Sequence, residues 1–137
     1  MAKWLLKSEP FKYSWERMVA DGRTHWDGIR NHQAANNLKA MKVGDRAFFY
    51  HSNEGLEIVG IVKIVREAYP DPGDEAGRFV MVDVAADRPV KTPVTLAAIK
   101  AEPELANLAL VRQSRLSVVP VADEEWKVIC RMAGVRA

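Results

Sequence analysis

The stretch EIVGIVKIVREAY, residues 57–69, constrains the fold more than any other. Apolar side chains occupy both alternating faces, which suits a strand covered on both sides at the centre of a sheet. Gly60 interrupts the run, and a glycine inside a strand marks a close approach to the backbone. RAFFYHS, residues 46–52, precedes it and puts Phe48, Tyr50 and Ser52 on one face. RFVMVDVA, residues 78–85, reads as a further strand, separated by the loop PDPGDEAG, residues 70–77. Lys3 to Ser8 reads as a first strand, and Ser114 to Val121 as a late one.

Helical signals are fewer. Ser14 fits an N-cap before Trp15, Met18 and Val19, Gly22 fits the stop, and Tyr13 and Met18 fit a hydrophobic staple. Ala34, Ala35, Leu38 and Met41 mark a second short helix, and residues 95–100 a helical turn. The clearest helix has Asp123 as its cap, then Trp126, Ile129, Cys130 and Ala133 at i, i+3, i+4 and i+7 spacing before Gly134. Strands outnumber helices and fall in uneven groups. The expected class is therefore α+β, a small curved or barrel-like sheet with short helices around it.

At 137 residues, one domain over residues 1–137 is expected. The 48% apolar and 28% charged composition is that of a chain able to bury its own core. Cys130 is the only cysteine, which excludes an internal disulfide and a multi-cysteine zinc site. His25, His32 and His51 have no partner at metal-ligand spacing, so no metal is expected. Phosphate-binding glycine loops and the serine-nucleophile elbow are absent, so no cofactor is implied. The apolar N-terminal run is too short for a signal peptide, no membrane span is expected, and the chain reads as cytoplasmic. Net charge is only +2, but eleven basic residues face eight acidic ones up to Pro70, against nine and ten beyond it.

Three polar-aromatic clusters remain. KSEP, residues 7–10, ends a strand with a cation, a hydroxyl and a carboxylate. FYHS, residues 49–52, ends another with an aromatic, an imidazole and a hydroxyl, and RQSR, residues 112–115, puts two guanidinium groups at the start of a third. WDGIRN, residues 26–31, adds a tryptophan beside an arginine and an asparagine. Such groups can form a pocket in which a flat ring stacks on an aromatic while amides and hydroxyls bond its edge. Each cluster also has a plainer reading: strand ends meeting water, surface charge, or Trp26 as core with Asn31 as a helix N-cap.

WLLKSEP, WDGIRN followed by QAANNL, VGDRAFFYHSN, IVGIVKIVREAYPDP and PVTLAAIKAEPELANLALVRQSRLSVVPV are similar, in order and over nearly the whole chain, to the EVE-domain family. This thymocyte nuclear protein-like group lies in the PUA-like superfamily. The resemblance implies a PUA-like pseudo-barrel. It also implies a module that captures a modified base, such as methylated or hydroxymethylated cytosine, from DNA or RNA without catalysis. The implied partner is nucleic acid, with separate effector proteins a further expectation. Carried over, the base site takes Ser8, Glu9, Trp26, Arg30, Asn31, Tyr50, His51, Ser52, Arg112 and Ser114. Arg30, Arg112 and Arg115 are the expected phosphate contacts. Where the family often has tryptophan this chain has Phe79, after a short loop. Two alternatives stay open. One is a PUA-like hydrolase using Lys7 and Glu9 on a nucleoside or other small amide, with Lys7 expected to point away from the pocket. The other is a binder of free nucleotides or nucleosides.

Overall fold

A computed structural model describes residues 1–137. Six strands form one sheet: β1 (Lys3–Ser8), β2 (Arg23–Trp26), β3 (Arg46–His51), β4 (Glu57–Pro70), β5 (Val80–Thr95) and β6 (Val118–Val121). Their spatial order is β2-β5-β4-β3-β1-β6. β1 and β3 run parallel, with Ser8 beside His51, so both strands deliver their polar C-terminal residues to the same end. All other pairings are antiparallel.

The central strand lies where its two-faced apolar pattern requires, between β3 and β5. Its register against β5 shifts at four places, and that against β3 at one. Bulges of this kind bend a sheet and strengthen its twist. The curvature brings β2 back toward the end of β1, although four positions separate them in the sheet order. β2 and β6 do not pair, and the sheet stays open.

The helices are α1 (Trp15–Asp21), α2 (His32–Ala40), α3 (Leu96–Ala101), α4 (Ala109–Arg112) and α5 (Asp123–Ala133). Ser14 caps α1 by accepting from the Arg17 N–H, and Gly22 ends it at φ 72°. Gly60 answers its sequence signal: the Trp15 ring lies across it, and a Cβ there would meet Trp15 Cζ2 at 2.4 Å. α5 covers the other face, where Trp126 stacks on Phe48 with centroids 3.9 Å apart.

Several boundaries differ from the sequence expectation. β5 runs on to Thr95, because its second half still pairs with β4. The late strand begins only at Val118, since residues 109–112 close a helical turn and 114–117 form an irregular approach. β2 carries no strand signal in sequence because three of its four residues are polar; pairing with β5 creates it. Ala122, not Asp123, occupies the N-cap of α5, and its N–H donates to the Glu125 carboxylate. Asp123 instead joins the acidic first turn, where negative charge suits the helix dipole.

Candidate nucleic-acid interface

The parallel ends of β1 and β3, the end of β2 and the approach to β6 meet around an open cavity of about 610 Å³. A volume of that order suits a small-molecule or single-nucleotide ligand. β1 and the turn after it supply Lys7, Ser8, Glu9, Lys12 and Tyr13. β2 and its following loop supply Thr24, His25, Trp26, Asp27 and Ile29. Ser52, Ser114, Arg115 and Ser117 complete the wall. The lining combines aromatic and aliphatic surface with five hydroxyl side chains from serine and threonine, and its cations outnumber its carboxylates.

Local hydrogen bonds fix these elements. The Ser52 N–H donates to the Ser8 carbonyl at 2.9 Å, and the Lys7 N–H to the Ser117 carbonyl at 3.1 Å. Lys12 and Tyr13 N–H groups both donate to the Glu9 carbonyl at 2.9 Å, which closes the turn after β1. Lys7 is half-buried and borders the cavity rather than turning away from it, and its Nζ donates to the Ser114 carbonyl at 2.8 Å. Burial holds its pKa below the usual lysine value of 10.5. Glu9 pairs with Lys12 at 3.7 Å.

Trp26 is only 8% exposed, yet it borders the cavity. Its ring meets Phe49 and Tyr13 edge-on, with centroids 5.6 and 6.5 Å apart. The core and pocket-wall readings of this residue thus coexist. Tyr13 serves twice as well, packing beside α1 and lining the cavity. Its phenol donates to Asp21 at 2.7 Å, and burial first, then that bond, raises its pKa.

The loop carrying Asp27 and Ile29 is pinned from outside. Asp71, 3% exposed, accepts from the Gly28 N–H at 2.9 Å, from Arg30 Nη1 at 3.0 Å and from the Gly73 N–H at 2.8 Å. Burial alone would raise its pKa, but these bonds outweigh burial and hold the carboxyl below its ordinary value. Arg30 also lies over Phe79, 5.6 Å from the ring centroid, and Phe79 packs against His32.

Of the residues singled out from sequence, Ser8, Glu9, Trp26, Ser52, Ser114 and Arg115 line this cavity. Arg30, Asn31, Tyr50, His51 and Arg112 do not, and each has a physical reason. Arg30 is held by Asp71. Asn31 is the N-cap of α2, accepting from the Ala34 N–H at 2.9 Å. Tyr50, 2% exposed, borders a separate cavity of about 170 Å³ behind Lys7, and burial raises its pKa. His51 Nε2 accepts from the Trp15 N–H at 3.0 Å, which requires that nitrogen to be unprotonated; burial lowers its pKa accordingly. Arg112 lies with Asn31 and Arg115 in a shallow groove beside the main cavity. A single cavity bordered by Ser8, Trp26, Asn31, Tyr50 and Ser52 together is therefore not what the fold builds.

Sequence reasoning did not single out Lys12, Tyr13, Thr24, His25, Asp27, Ile29 or Ser117 as lining residues. The one available signal was RTHW, residues 23–26, where alternation places Thr24 on the face of Trp26. No three His, Cys, Asp or Glu side chains gather where they could hold a metal ion.

The family model of the EVE domain matches residues 2–132. Human thymocyte nuclear protein 1 is 37% identical to this chain, over 92% of it and 71% of that protein; the chicken protein is 39% identical, over 92% and 66%. The chain thus spans about two-thirds of the length of these relatives. A solved protein of Rhodopseudomonas palustris is similar at TM-score 0.93 and 61% identity, covering 98% of this chain and 94% of the other. Human thymocyte nuclear protein 1 in complex with DNA containing 5-methylcytosine is similar at TM-score 0.91 and 36% identity, covering both chains fully. An ASCH protein from Zymomonas mobilis, 11% identical at TM-score 0.57, shares the fold alone.

Proposed function

Because the chain belongs to the EVE-domain family, we propose that its cavity captures a single modified cytosine from DNA without catalysing a reaction on it. The observation that carries this reading is the cavity itself: about 610 Å³, walled by Trp26 and Tyr13, with hydroxyls and carboxylates around cationic rim groups. A relative solved with 5-methylcytosine DNA supports the choice of ligand.

The chemistry is complementary to cytosine. Its exocyclic amine needs an acceptor, and Asp27 and Glu9 offer carboxylates. Its carbonyl and ring nitrogen accept from hydroxyls, and Trp26 offers aromatic surface. The 5-methyl group needs an apolar contact, for which Trp26 and Ile29 are the available partners. Burying one methyl adds about 0.8 kcal/mol, close to fourfold in affinity. Taking a base out of a duplex costs a few kcal/mol, and stacking returns about 1–3 kcal/mol, so binding in the micromolar range follows.

Titration with oligonucleotides of one sequence, carrying cytosine or 5-methylcytosine, tests the reading. About fourfold or stronger preference for the methylated strand is expected, with RNA and free 5-methylcytidine binding less tightly than the DNA. Equal affinity for both cytosines would refute recognition of the modification. Undiminished affinity for the free nucleoside would make polymer contacts irrelevant. A hydrolase working through a Lys7–Glu9 pair finds less support, since Glu9 is engaged with Lys12 and Lys7 with the Ser114 carbonyl.

A further inference from the structure

Phe11 is 64% exposed, and it is the one aromatic among the large apolar side chains left in solvent. Its place is not incidental. It lies in the turn after β1, and residues on both sides of it, Glu9, Lys12 and Tyr13, line the cavity. That turn is closed by two backbone hydrogen bonds to the Glu9 carbonyl and includes Pro10, whose φ is restricted. Tyr13 anchors its far end against Trp26. Phe11 therefore projects from a fixed support beside the cavity mouth, with Lys12 Nζ 5.8 Å from its ring centroid.

An exposed aromatic ring next to a base-sized cavity has a specific use. Extruding a base from a duplex leaves a gap in the stack, and proteins that deform DNA fill such gaps with apolar side chains inserted between base steps. Every base has a π-face, so a phenyl ring can stack in the gap whatever the neighbouring sequence. Lys12, adjacent in the chain and already at the rim, is placed to meet the backbone phosphates that flank the gap.

We infer that Phe11 is the wedge of this domain, entering the DNA stack where the captured base has left it. The inference rests on the base-capture reading and adds the duplex as the form of substrate the domain is built to open. It gives Phe11 a role that only a paired strand can reveal, because a single strand has no gap to fill.

The test compares the wild-type chain with Phe11→Ala and Phe11→Leu. The probes are a duplex with one central 5-methylcytosine and the single strand of the same sequence, each with 2-aminopurine next to the modified base. Phe11→Ala should weaken duplex binding by about tenfold, the size of losing one base–aromatic stack, and reduce the 2-aminopurine fluorescence rise. Its single-strand affinity and Tm should stay within error of the wild type, and Phe11→Leu should restore part of the duplex affinity. Equal loss on both probes would make Phe11 a general strand contact and overturn the wedge. No loss on either would overturn it too. Wild-type binding to the single strand but not the duplex would leave base capture standing and remove the wedge. Wild-type binding to neither would remove both.

Discussion

Phe48 and Phe49 are neighbours in β3, but they face opposite sides of the sheet and meet different tryptophans. Phe48 stacks on Trp126, nearly parallel at 19°, under α5. Lys3 and Arg46 lie over that ring at 5.8 and 5.3 Å, and Trp126 is 1% exposed. Phe49 meets Trp26 edge-on at 83°, and Trp26 keeps 8% of its surface exposed at the cavity. The same residue types thus build a sealed core on one face and a cavity wall on the other. What separates them is the element that carries each ring: α5 itself lays Trp126 flat on the sheet, while Trp26 sits at the end of β2 beside a loop. Loops have little packing of their own, and polar pins such as Asp71 hold them instead.

The largest effect comes from the sealed side. Trp126→Ala should cost about 3–5 kcal/mol of stability, as for other large buried aromatics, and leave base affinity per folded molecule unchanged. Chemical denaturation and base titration on the same variant measure both. A loss of affinity in the molecules that remain folded would break the separation of the two faces.

Trp26→Ala should split its effect. It removes a largely buried ring, so a stability loss of about 3 kcal/mol is expected. It also removes an aromatic surface of the cavity, which should weaken base binding by about 1–3 kcal/mol. Trp26→Phe should keep much of each. Destabilisation with full affinity per folded molecule would make Trp26 core alone.

Asp71→Asn tests the pin. Weakening charge-assisted bonds to Arg30 and two backbone N–H groups should cost about 1.5–3 kcal/mol, with faster amide exchange at Gly28. Because the folded carboxyl titrates below its ordinary value near 3.8, the stability Asp71 contributes is fully present above about pH 4. It is lost as pH falls through the lower folded value, and the variant should lack that part of the acid dependence. An unchanged acid limb would sink the pin.

The smallest effect belongs to the rim. Arg115→Ala should leave stability within about 0.5 kcal/mol, as for an exposed side chain. The slope of log affinity against log salt on single strands should flatten by roughly 0.7, one phosphate contact. An unchanged slope would place the strand elsewhere.

Much of this arrangement was legible in the residues. β1, α1 with its Ser14 cap and Gly22 stop, and the close approach at Gly60 each depend on neighbours in sequence or on one steric demand. Trp26, Ser8, Ser52 and Ser114 were legible as wall candidates because polar residues interrupting an apolar strand end are unusual. Tyr50 and His51 show the limit of that reasoning. They share the FYHS cluster with Ser52, yet alternation turns His51 to the α1 side, where it meets the Trp15 N–H, while Tyr50 stays on the Ser52 face, buried beside the second cavity. Asn31 shows another limit, since an asparagine before a helix satisfies backbone N–H groups first and a ligand only if spare.

What the chain alone determined is local: strand faces, caps, turns, and the residue types from which an aromatic-polar cavity can be made. It also carried the family, because the motifs recur in order along almost its full length. The tertiary structure decided which of those residues meet. β2 became a strand only by pairing with β5, and the curvature from several bulges carried Trp26 to the ends of β1 and β3. Asp71 found Gly28 and Arg30 across more than forty residues. Such contacts depend on how a bent sheet sums many small register shifts, and no single stretch of sequence encodes that sum.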